Sequence, residues 1–116
     1  MIRKASECTI TTTEHLKDGP GAVQFTNFIA GPADLCDKGR LFSKVTLKPG
    51  CGIGYHTHET DTELYYITKG TLAYSDNGVD TTVSAGDVTV CPPGEGHSIT
   101  NESDEDCEFI ALILFV

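Results

Sequence analysis

Ten short β-rich runs recur along this chain with turn residues between them, and no other feature limits the fold as tightly. They fall at roughly 8–13, 22–30, 41–48, 53–58, 63–68, 71–75, 79–84, 87–91, 97–101 and 107–115. Short strands at this spacing specify an all-β sandwich or barrel. Asn77-Gly78 is the strongest hairpin signal, because both residues accept the positive φ angles of a two-residue turn. Lys69-Gly70 reads as a second tight reversal, and Pro49-Gly50 redirects the chain after the 41–48 run. The segment Gly31–Gly39 is the nearest approach to a helix, and Gly and Pro break it. With 116 residues and no internal repeat or linker, the chain has room for one core, so a single domain over 1–116 is expected.

Alternation assigns the faces of these strands. Leu41, Ser43, Val45 and Leu47 share a side that should face the interior, as do Glu63, Tyr65 and Ile67 in a strand expected to begin at Glu63. The last run differs. Phe109, Ala111, Ile113 and Phe115 fill one face, yet Ile110, Leu112, Leu114 and Val116 make the other apolar too. A strand apolar on both faces needs cover on both. One face meets the core, and the other needs the N-terminal segment or a second subunit; a homodimer is the expectation, in which the N-terminal strand at 8–13 can cross to the partner.

The formal net charge of −9 and the scatter of basic residues argue against nucleic acid as a partner. The apolar run at the end is too short to span a membrane, which takes about 20 residues. The acidic run Glu102–Asp106 reads as a solvated loop. Five cysteines form no zinc-type pair, and the opening Met1–Glu7 carries no apolar stretch of the kind a signal peptide needs. A reducing cytoplasm and free thiols are the expectation.

Three of the four histidines stand in two glycine- and proline-framed stretches. The first runs Gly50-CGIGY-His56-T-His58-ETDT-Glu63-LYYITK-Gly70, the second Gly86-DVTVC-Pro92-P-Gly94-EG-His97-SIT-Asn101. His56 and His58, two apart, project from one strand face. Glu63 can meet them across a short loop, and His97 arrives after the Pro-Pro-Gly turn. Three imidazoles and a carboxylate suit one divalent transition metal, whether Mn, Fe, Ni, Co, Cu or Zn. Such a set would leave two positions of an octahedral ion open. Despite the acidic surface it would carry about one net positive charge, favouring a small anionic or enolic ligand.

These stretches resemble the two motifs of the cupin superfamily, G-x5-H-x-H-x3,4-E-x6-G and G-x5-P-x-G-x2-H-x3-N, at all ten fixed positions. Fifteen residues separate Gly70 from Gly86, near the short end for the family. The resemblance implies a double-stranded β-helix, the jelly-roll barrel, with His56, His58, Glu63 and His97 as metal ligands. By its parity with Glu63, Tyr65 is the candidate pocket aromatic, the other reading being core packing with its hydroxyl at the rim. Asn101 is expected to bond backbone, Cys91 and His15 to stay outside the ligand set, and Glu95 to be a solvated turn carboxylate. Oxalate decarboxylases of this superfamily carry arginine three residues before the first ligand histidine. Ile53 stands there in this chain, which speaks against oxalate turnover. Two functions follow from the resemblance: a metal-dependent dioxygenase, isomerase or decarboxylase acting on a small oxygen-chelating molecule, and a non-catalytic cupin that binds a small ligand or is structural.

Overall fold

The computed structural model describes residues 1–116. Its ten strands are β1 (Thr9–Glu14), β2 (Ala22–Asn27), β3 (Gly39–Leu47), β4 (Gly52–Thr57), β5 (Asp61–Lys69), β6 (Thr71–Asp76), β7 (Val79–Ser84), β8 (Val88–Cys91), β9 (Gly96–Thr100) and β10 (Cys107–Phe115). Each matches one expected run, with ends displaced by three residues or fewer. Six strands form one sheet in the order β1-β2-β3-β10-β5-β8, and four form a second in the order β4-β9-β6-β7. All recorded pairings are antiparallel. The two sheets close on each other as a jelly roll. Helical structure is limited to 3-10 turns at Ala5–Glu7, Leu16–Asp18 and Pro32–Leu35.

Alternation produces the core as expected. Ser43, Val45 and Leu47 are buried on β3, Glu63, Tyr65 and Ile67 on β5, and Phe109, Ala111 and Ile113 on β10. Thirteen of the buried residues form one hydrophobic cluster spanning both sheets. Fully burying a side chain such as Phe109 stabilises the fold by roughly 1.5–3 kcal/mol. Asn101, with no solvent exposure, ties loops to strands as the sequence indicated. Its Nδ2 donates to Leu47 O at 2.8 Å and to Glu105 O at 2.7 Å.

Three expectations change. Lys69-Gly70 does not turn a hairpin, because β5 and β6 lie in different sheets. Gly70 (φ +89°) is instead the corner between them, and a Cβ there would strike Cys107 Sγ. Asn77-Gly78 does form a hairpin, joining β6 to β7 with both residues at positive φ. Phe115 is 45% exposed rather than interior, since β10 runs past the core to pair with Asp61 at the end of β5. And β5 begins at Asp61, two residues before Glu63, which adds an inward-facing carboxylate.

The outer face of the larger sheet carries apolar side chains in rows. Phe42, Leu112, Leu64 and Val90 follow one another across β3, β10, β5 and β8, and Ile110, Tyr66 and Val88 form the next row. Tyr66, Val88 and Val90 are each at least half exposed. At the far edge, β1 pairs only with β2, and none of its six residues is buried.

Candidate metal centre

His56 on β4 lies directly opposite His97 on β9 in the strand register. His58 follows just past the end of β4. There its N–H donates to Glu95 O (3.0 Å) and its carbonyl accepts from Gly94 N–H (2.7 Å), which binds the Pro-Pro-Gly turn to the first histidine pair. Glu63 comes from β5 in the other sheet. The sheets therefore meet at one point. His97 Nε2 lies 3.1 Å from His56 Nε2 and 3.2 Å from His58 Nε2. Glu63 Oε1 is 3.0 Å from His97 Nε2, 3.2 Å from His58 Nε2 and 3.8 Å from His56 Nε2. The sequence predicted this set of four, and the structure brings all of it together.

The outward-facing nitrogens decide what the set can hold. His56 Nδ1 donates to Gly54 O at 2.8 Å, and His58 Nδ1 to Asp61 Oδ1 at 2.6 Å. A carbonyl and a carboxylate only accept, so both Nδ1 atoms carry the proton, and Nε2 of each ring is left to face inward as the ligand atom. His97 Nδ1 lies 3.0 Å from the Tyr74 hydroxyl. The buried Thr89 hydroxyl close by has no hydrogen-bond partner of its own. Three converging lone pairs repel unless a cation lies between them. Ligands about 2.1 Å from one ion and at right angles sit about 3.0 Å apart, close to the separations here. The donor set fits a divalent transition metal, with Gly54, Asp61 and Tyr74 fixing the rings from behind.

Electrostatics agree. Burial works to raise the Glu63 carboxyl, but hydrogen bonds with His56, His58 and His97 outweigh it and hold the group ionised far below the usual range. The Glu63 hydrogen bond raises His58, against its desolvation, with help from Asp61. Burial lowers His97. Tyr65, 2% exposed, stacks on the His97 ring and donates its hydroxyl to Glu63 Oε1 at 3.1 Å. Desolvation and the Glu63 charge keep that phenol protonated. Tyr65 is thus both a pocket wall and a brace for Glu63.

The remaining expectations fall outside the set. Cys91 pairs with Glu63 across β8 and β5 but stays out of the cluster, its thiol pushed up to about 11 chiefly by burial. His15 is exposed and sits with Nδ1 3.1 Å from Gly19 O. Glu95 contributes its carbonyl, and its side chain is not among those lining the cavity.

A cavity of about 150 Å³ opens beside the tetrad. His56, His58, Glu63 and Tyr65 line it together with apolar side chains such as Val45, Ile53 and Ala111, and Lys17 and Arg40 also contribute. Sequence reasoning missed Asp61, Tyr74, Lys17 and Arg40. Parity with Glu63 could have found Asp61, and parity with Leu72 could have found Tyr74. Lys17 and Arg40 carried no signal, because only tertiary packing brings them to the cavity.

This barrel with a three-histidine, one-glutamate centre is a cupin: the cupin domain family matches residues 43–113, and the chain belongs to it. Over its whole length it is 37% identical to a protein named oxalate-binding protein from Thermotoga maritima, covering 95% of that protein. A crystal structure from the same organism, described as a "predicted oxalate decarboxylase", superposes with a TM-score of 0.93 at 36% identity, with both chains fully covered. KdgF from Halomonas sp. shares the fold at a TM-score of 0.68 and 20% identity, over 81% of this chain and 79% of that one.

Proposed function

We propose that this protein binds a small anion with two oxygen donors through a divalent metal held by His56, His58, Glu63 and His97, with oxalate the first candidate. The observation that carries the reading is the cavity's placement. It reaches three of the four ligand side chains and is otherwise lined mainly by apolar residues. A ligand there can meet the ion while the walls exclude competing water. A held ion supplies Lewis-acid chemistry and, for manganese or iron, a redox couple. The name of the Thermotoga relative supports oxalate as the anion.

Binding is favoured over turnover by the lining itself. Glu63 is the sole carboxylate among the lining residues and is committed to the histidines. Ile53, 5% exposed, lines the cavity where oxalate decarboxylases carry arginine. The second reading is metal-dependent turnover of the same anion, supported by the open side of the centre and by the description of the similar Thermotoga structure. Metal analysis followed by calorimetry with oxalate tests the first reading, and release of formate or carbon dioxide tests the second. Failure of the metal-loaded protein to bind oxalate would overturn the first.

We also propose that the chain works as a homodimer in the cytoplasm. The exposed apolar rows and the uncovered β1 support self-association, and a second copy, carrying the same rows, supplies a matching apolar face. Five free cysteines suit a reducing compartment. No helix is long and apolar enough to cross a membrane.

A further inference from the structure

We infer that Arg40 and Lys17 form an anion-reading mouth over the metal centre, so that the cavity selects a dianion of about six to eight heavy atoms. This rests on the metal-chelate reading above and adds to it the charge and size of the ligand.

Size comes from the cavity. A space of about 150 Å³ matches one known to hold benzene, a six-atom ring. Oxalate has as many heavy atoms.

Charge comes from the residues at the mouth. Arg40 Nε donates to Asp61 Oδ2 at 3.0 Å, which anchors the side chain while it stays half exposed. No hydrogen bond or ion pair engages its two terminal nitrogens, and the residue is among those lining the cavity. Lys17 lines the same cavity, and the ion pairs of the chain, which engage Arg3 with Asp34 and Arg40 with Asp61, leave it free. With an ion in place, Arg40, Lys17, Asp61 and Glu63 leave about two positive charges over this space by simple counting. Two cations at one cavity are notable in a chain of net charge −9.

The backbone shows that Lys17 is held there against its own preference. It sits in the left-handed region (φ 54°, ψ 36°) between Leu16 and Asp18, and Asp18 (φ 62°) and His15 (φ 51°) share that region. Lysine, unlike Asn, Asp or His, is not enriched in this conformation. Strain of this kind persists where surrounding structure imposes it. Here the turn is clamped by His15 N–H to Gly21 O at 2.8 Å, and it packs so closely on β4 that a Cβ on Gly54 would run into Lys17 O. The clamped turn fixes Lys17 at the cavity that Arg40 also lines.

Manganese(II)-loaded wild type, Arg40→Gln and Lys17→Gln are titrated calorimetrically with oxalate and with oxamate. Oxamate has the same shape but carries a neutral amide in place of one carboxylate. Each variant is expected to lose about tenfold in oxalate affinity and less than about threefold in oxamate affinity, with manganese content unchanged. Arg40→Gln can disturb Asp61 and through it His58. Lys17→Gln changes only the side chain and keeps the carbonyl that packs on Gly54, so it decides the case if the arginine variant loses metal. Unchanged oxalate affinity, or equal losses for both ligands, in Lys17→Gln overturns the mouth while leaving the chelate reading intact. Binding of neither ligand by the metal-loaded wild type overturns both.

Discussion

Asp61 Oδ1 accepts the Nδ1 proton of His58 at 2.6 Å, the shortest side-chain contact behind the metal centre, and so turns Nε2 toward Glu63 and His97. Asp61 is itself 7% exposed and braced from outside by Arg40. A carboxylate so placed fixes both the tautomer and the basicity of the ring. Asp61→Asn should weaken metal affinity about 10–100-fold, since groups behind a ligand typically contribute that much. Competition with a calibrated chelator measures it, and wild-type affinity would remove Asp61 from the centre.

Loss of a ligand should have a larger effect. In protein purified without a histidine tag or chelator, the wild type is expected to carry one ion per chain and His58→Ala to lose it. Elemental analysis decides. Equal metal in both proteins would place the ion elsewhere.

The pH behaviour should reverse sign on metal loading. Without metal, the Glu63 hydrogen bond raises His58, so its charged form contributes stability that is fully present below the ordinary value of 6.5 and is lost as pH rises through the higher folded value. Burial lowers His97, so its neutral form is lost from the fold, with stability, as pH falls below 6.5 toward the lower folded value. The metal-free protein should melt highest near pH 6.5 and lower on both sides. The loaded protein should keep gaining above pH 6.5, because protons and the ion compete for His58 Nε2. Melting curves of both forms from pH 5 to 8.5 check this, and parallel profiles would refute it.

Much of this site was legible because its residues repeat at strand parity. His56, His58, Glu63 and His97 sit inside framed spacings, and alternation placed Tyr65 and Ile67 beside Glu63 correctly. What escaped was set by packing between distant segments. Gly70 looks the same before a hairpin or a corner between sheets, and only the strand order distinguishes them. Lys17 and Arg40 lie far apart in sequence, and Lys17 reaches the cavity that Arg40 lines only because the 15–21 turn folds onto β4. Phe115 kept the right parity yet lay beyond the end of the core.

The apolar rows give a separate test. Tyr66→Asp combined with Val90→Asp places two charges on an exposed face that makes no contact with the metal centre. Light scattering should find wild-type dimers and mutant monomers at micromolar concentration, with metal content unchanged. A monomeric wild type would end the proposal of self-association.

Gly54 should tolerate no side chain. A Cβ there would collide with the Lys17 carbonyl, which belongs to backbone and cannot swing away. Gly54→Ala is expected to cost about 1–3 kcal/mol by overpacking, read as a lower denaturation midpoint in urea. It should also loosen the 15–21 turn, seen as faster amide exchange there.

The direct pairing of His56 with His97 ties metal uptake to correct assembly. A slip of one residue between β4 and β9 would send the His97 ring outward and present Gly96 or Ser98 in its place. The same slip turns Ile99 out of the core, and the misfolded barrel would hold no ion. Binding then acts as a quality check on the newly made chain, drawing the population toward the one alignment that can be loaded.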